Sequence, residues 1–109
     1  MTRNEVTRMV LEGARELISD PGRWTHGYAG EGPEDPVCAV LAIHQIAHLL
    51  RGDRVQYVES AKDALRRVLP RSSIHDKKTF RTHSIIRWND SATHAEVIAA
   101  FDRAIASLK

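Results

Sequence analysis

From Val37 to Leu50 the chain sets apolar side chains on nearly every side of a helix. Cys38, Ala39, Ala42, Ile43, Ile46, Ala47, Leu49 and Leu50 fall on one half of the helical wheel. Val37, Val40 and Leu41 fall on the other, beside His44, Gln45, His48 and Arg51. A helix with so little polar surface to offer to water must be touched from several sides. Whatever this chain folds into is therefore arranged around that segment. Asp35 suits the N-cap, Pro36 the first helical position and Gly52 the C-terminal cap. The spacing predicts a central helix from Pro36 to Arg51.

Amphipathic helices are available to cover it. Thr2-Arg3-Asn4-Glu5 has the form of a capping box. Val6, Met9, Val10, Gly13, Leu17 and Ile18 follow at helical spacing, which predicts a first helix over Arg3–Ser19, stopped by Asp20-Pro21-Gly22. Asp53-Arg54-Val55-Gln56 repeats the capping pattern with Gln in the returning role. It opens a third helix with a stripe of Val55, Val58, Ala61, Leu65, Val68 and Leu69, ended by Pro70. Thr93-His94-Ala95-Glu96 opens the last helix, with Val97, Ile98, Phe101, Ala104, Ile105 and Leu108 as its stripe.

Two stretches lack such a period. Gly22–Asp35 is rich in Gly, Pro and acid, and Trp24 is expected to pin it to the core. In Arg71–Asp90, Ser84-Ile85-Ile86-Arg87-Trp88 reads as a short helix or an extended pin, because a lone strand would find no partner. Asn89-Asp90-Ser91 reads as a turn. The expected fold is all-α: one compact four-helix domain over residues 1–109, with a central apolar helix and two long irregular segments.

Composition narrows the function classes. With 42% apolar and 28% charged residues, the 109-residue chain is neither a disordered nor a collagen-like sequence. A single cysteine, Cys38, excludes an intrachain disulfide and a four-thiolate zinc site. The longest apolar run, Val37–Ile43, is far short of the ~20 residues of a membrane span, and no signal-peptide layout opens the chain. The protein is expected in the cytoplasm, away from membranes. The net charge of +2 is unevenly spread: Arg51–Arg87 holds 10 Lys/Arg against 4 Asp/Glu, and the remainder 6 against 10.

Three chemical leads each stand beside a plainer reading. His44 and His48, four residues apart, share a helix face as zinc-binding histidines do, but Gln45 cannot act as a general base. A third ligand would have to come from His75, His83 or His94 through the fold. The plainer reading is two histidines on a helix flank. Cys38 near a helix start, followed by His83 and Asn89, follows the Cys–His–Asn order of papain-like hydrolases, with a core cysteine as the alternative. Arg66, Arg67, Arg71, Lys77, Lys78, Arg81 and Arg87 could line up along nucleic-acid phosphates, with Phe80 and Trp88 stacking on bases. They could equally be solvated surface. Trp24, His26, Cys38, Trp88, Asn89 and Asp90 are the candidates for a ligand pocket, or for a purely structural clamp and cap.

The order Trp24-Thr25-His26-Gly27, Cys38 opening an apolar helix, Ile86-Arg87-Trp88-Asn89-Asp90 and Thr93-x-x-Glu96-Val97 resembles a family of small proteins from actinobacteria and their bacteriophages, a domain of unknown function. The resemblance spans Val6 to Leu108 and implies a phage or actinobacterial setting. No catalytic constellation is complete, so the expected role is a non-enzymatic accessory protein that binds a host macromolecule without a cofactor. Nucleic-acid binding through residues 66–87 and a cysteine-dependent hydrolase at Cys38 are the alternatives.

Overall fold

A computed structural model describes residues 2–26, 35–70 and 81–108, with the backbone alone for 81–84. Among them are five α-helices: α1 (Arg3–Leu17), α2 (Ala39–Ala47), α3 (Arg54–Arg67), α4 (Arg81–Ser91) and α5 (His94–Ala106). The all-α expectation stands, and the count of four main helices does not. The additional helix is α4, where a short piece and an Asn-Asp-Ser turn were expected. Its inner face is Ile85, Trp88 and Asn89, continued by Ala92 just past its end, at helical spacing and all buried. A polar residue at the third of these positions breaks the apolar stripe that would have marked the helix.

The capping boxes of α1 and α5 are as read. Thr2 Oγ1 accepts from the Glu5 amide, and the Glu5 carboxylate accepts from the Thr2 amide. Thr93 and Glu96 do the same at α5. At α3 only half of the box forms. Asp53 accepts from the Gln56 amide at 3.1 Å, while Gln56 turns away to Ser60.

The central helix is shorter than predicted at both ends. Asp35 and Pro36 lie before it, and Cys38 is the N-cap. Val37 is drawn into an extended bridge with Trp24: its amide donates to the Arg23 carbonyl at 2.9 Å, and its carbonyl accepts from the Thr25 amide at 3.2 Å. A residue held in that pairing cannot take helical dihedrals. At the other end the Leu49 and Leu50 amides bond three residues back, to Ile46 and Ala47, tightening the chain into a turn. Leu49 is thereby left 78% exposed, against the buried position expected for it. The central role itself holds: Val37 to Val40, Ala42, Ile43 and Ala47 are all buried, and α2 packs on α1, α3 and α4.

Two stripes are rotated from their expected faces. α1 buries Thr7, Val10, Leu11 and Ala14, and leaves Met9 exposed. Gly13 sets this orientation, because a Cβ there would come within 2.8 Å of Ile46 Cγ2. The missing side chain lets α1 and α2 close on each other. In α3, Val55 is 74% exposed, and Val58, Ala61 and Leu65 carry the packing. No described helix is long and apolar enough to cross a membrane.

Gly52 makes the reversal into α3. Its φ of +110° belongs to the region that L side chains avoid, and a Cβ there would overlap the Tyr57 hydroxyl. That hydroxyl donates to the Arg51 carbonyl at 2.9 Å and so holds the turn closed. Gly52→Ala is expected to lower unfolding free energy by about 1–3 kcal/mol, measured by denaturant titration. An unchanged midpoint would mean that the turn has another conformation available.

Candidate functional site: the Asn89 junction

The fold brings Trp24, Cys38 and Asn89 to one place, where the 24–26 segment, the start of α2 and α4 meet. Asn89 is fully buried. Its Oδ1 accepts from the Trp24 indole N–H at 2.8 Å and from the Ala39 amide at 3.1 Å. Its Nδ2 donates to the Thr25 carbonyl at 3.1 Å. Two donors meet one end of the carboxamide and a carbonyl meets the other, so the partners fix its orientation.

The sequence makes this junction necessary. Val37 is extended, so α2 begins at Ala39 behind a cysteine, with no Ser, Thr, Asp or Asn in the capping position. The first amides of a helix have no partner inside it, and leaving them unpaired in a buried place is costly. Here Asn89 takes the Ala39 amide from across the fold, and Cys38 Sγ accepts the Leu41 amide at 3.4 Å. The thiol is therefore part of the helix cap. Burial pushes its pKa up, and the charge of Asp90 adds to this against the lowering effect of nearby amides. A thiol held in its neutral form is a poor nucleophile.

Two histidines complete the surroundings of Trp24. The His26 ring lies 4.8 Å from the indole, edge to face, with Nε2 2.9 Å from the Ala92 carbonyl. The His94 ring lies 5.8 Å away, with Nε2 2.7 Å from the Ile18 carbonyl. A carbonyl can only accept, so each Nε2 carries the proton. These bonds tie the end of α1 and the 24–26 segment to the junction of α4 and α5. The sequence offers His94 as a member of the last helix's capping motif and as a metal ligand supplied through the fold. Nothing in its spacing marks it as a partner of Trp24.

The other candidates are dispersed. Trp88 packs in the core, and Asp90 is exposed. His83 is in the first turn of α4, six residues before Asn89, which puts their backbones about 9 Å apart along the axis. His44 is half-buried and His48 exposed. Among the described residues no three His, Cys, Asp or Glu are grouped to hold a metal ion. Of the basic stretch, Arg66 is half-buried, and Arg67 is exposed and pairs with Asp63 at 2.7 Å. Arg87 is exposed on α4. Arg71, Lys77, Lys78, His75 and Phe80 lie outside the described residues, as do the side chains of Arg81 and His83.

Burial holds the His44 imidazole below its ordinary range, helped by the charges of Lys62 and His48 and opposed by Glu59. As pH falls, the unfolded chain takes up its proton at this residue first. The contribution is therefore intact above about pH 6.5 and is lost as pH drops through the unfolded value towards the folded one. His44→Gln should flatten the stability profile between about pH 7 and 5; an unchanged slope would contradict the assignment. Asn89→Ala strands two buried donors and an acceptor at once. A loss of about 3 kcal/mol or more is expected by denaturant titration, larger than for Trp24→Phe, which removes one bond and keeps most of the ring. Equal losses would show that Asn89 does not hold the three segments together.

Comparison with known proteins adds one assignment. No curated protein and no solved structure matches the chain. Residues 2–107 match the Family of unknown function (DUF6197). That match runs through all five helices and the Asn89 junction, and the chain belongs to this family.

Proposed function

We propose that the chain is a non-catalytic accessory protein of actinobacterial or phage setting, acting in the cytoplasm by binding a host macromolecule, a protein, through its surface. The observation that carries this reading is the employment of the residues best suited to chemistry. Asn89 is fully buried and bonded at both ends of its carboxamide. Cys38 is buried, kept neutral and used as a helix cap. What remains for function is the exterior, where Leu49 and Val55 flank the α2–α3 turn as large exposed apolar side chains.

A second reading, nucleic-acid binding, has its own support. Arg66 and Arg67 end α3, Arg87 is exposed on α4, and the two helices pack together. Cations so placed can follow a phosphate backbone.

One capture experiment separates these from the hydrolase alternative. The full chain is cross-linked in actinobacterial lysate beside three variants: Leu49→Asp with Val55→Asp, Arg67→Glu with Arg87→Glu, and Cys38→Ser. One recurrent protein is expected, lost with the first variant and retained with the other two. Capture that is sensitive to nuclease and to the arginine reversals would replace it with the second reading. Capture that depends on Cys38 alone would restore covalent chemistry at the thiol.

A further inference from the structure

The groove between α1 and α3 gathers hydrogen-bond donors that the fold does not fully use. Arg3, at the start of α1, reaches across to α3, where its Nε donates to Ser60 Oγ at 3.2 Å. Gln56 Nε2 donates to the same oxygen at 3.1 Å. Ser60 Oγ thus accepts twice, and its own O–H has no acceptor among the described residues. The terminal nitrogens of Arg3 have no carboxylate at ion-pair distance among them either; the arginines so paired are Arg8, Arg15 and Arg67. Two acids close in sequence or space are already engaged. Glu5 turns back to the Thr2 amide at 3.3 Å, and Asp63 answers Arg67 at 2.7 Å.

The Arg3–Ser60 pair is common to two open clefts. One, of about 230 Å³, is polar and is lined also by Asn4, Asp63 and Arg67. The other, of about 310 Å³, is lined also by Val6, Gln56 and Tyr57. The Tyr57 hydroxyl is held on the Arg51 carbonyl, which fixes the ring as a wall of the second cleft. Both volumes lie near or below the lower end of small-molecule sites, about 300 Å³, so the occupant is small. Arg3 and Arg67 against Asp63 leave an excess of one positive charge among the residues that line the two clefts.

We propose that the α1–α3 groove binds a carboxylate that carries an apolar group, with the carboxylate on Arg3 and Ser60 and the apolar group against Val6 and Tyr57. The terminal N–H groups of Arg3 match the two oxygens of a carboxylate, and the Ser60 hydroxyl supplies a further donor beside them. The charge count favours a carboxylate over a phosphate ester. One negative charge is met by the excess of one, whereas the second charge of a phosphate monoester would face Asp63 in the same cleft. The neighbouring wall of Val6 and Tyr57 gives an apolar substituent surface to cover, which a bare anion would not use. A free organic acid and the C-terminus of a peptide share this chemistry. The site is separate from the Leu49 and Val55 surface and does not depend on the protein-binding reading above.

The test follows the backbone amide signals of Tyr57 and Ser60 by NMR in the full chain labelled with nitrogen-15. The probes are 3-phenylpropionate, its amide, 2-phenylethyl phosphate and the peptide N-acetyl-Gly-Gly-Phe with a free C-terminus, each titrated at matched ionic strength. The two carboxylates should shift both signals saturably, and the amide and the phosphate ester should bind tenfold or more weakly, about the loss of one charge-assisted hydrogen bond. Tighter binding of the peptide than of 3-phenylpropionate would assign the carboxylate to a peptide C-terminus; weaker binding would assign it to a free organic acid. Arg3→Gln should weaken either carboxylate by a similar factor with the circular dichroism spectrum unchanged, and Arg3→Lys should restore part of it. No saturable shift with either carboxylate, equal binding of the amide or the phosphate ester, or undiminished binding in Arg3→Gln would overturn the proposal.

Discussion

The carboxamide of Asn89 is the constraint on which the rest of the structure depends. One planar group accepts two N–H donors and donates to a carbonyl, and its partners come from two segments far apart in the chain. In a buried place each of these partners would otherwise be left unpaired, so the three bonds form together or not at all. That shared dependence sets where α4 lies against α2, and where the 24–26 segment lies against both.

The central helix shows what this arrangement permits. α2 is apolar on most sides and nine residues long. A helix so short has little stability of its own, and this one begins behind a cysteine with no ordinary cap. Its start is fixed instead by a bridge between Val37 and Trp24, by a sulfur acceptor at Cys38 and by Asn89 from another helix. Its packing on α1 uses the absence of a side chain at Gly13. Tertiary contacts thus supply what local sequence does not.

Legibility of the sequence divides along the same line. The starts of α1 and α5 were readable to the residue, because their capping boxes join groups three positions apart. The central placement of α2 was readable from its composition. Its first residue was not: Asp35 and Pro36 form a strong local start signal, and the pairing that overrides it involves Trp24, distant in the chain. α4 was hidden by Asn89, a polar residue on the inner face. Leu49 and Val55 were misplaced because periodicity marks an apolar position without telling whether a neighbour covers it. Trp24, Cys38 and Asn89 could be named as a group, but the bonds joining them, and the part of His94, arise only from the folded arrangement. Arg66 was legible as a cation and not as a buried N–H with no acceptor among the described residues, which is a property of packing.

Through Asn89, the 24–26 segment, the start of α2 and α4 form one cooperative unit. Native-state hydrogen exchange of the Trp24 indole N–H and the Ala39 amide tests this most directly. Both should open with the same free energy, close to that of the slowest amides in α5, with the same response to denaturant. Exchange of either group at the rate of an exposed loop, or opening free energies that differ by more than about 1 kcal/mol, would contradict it.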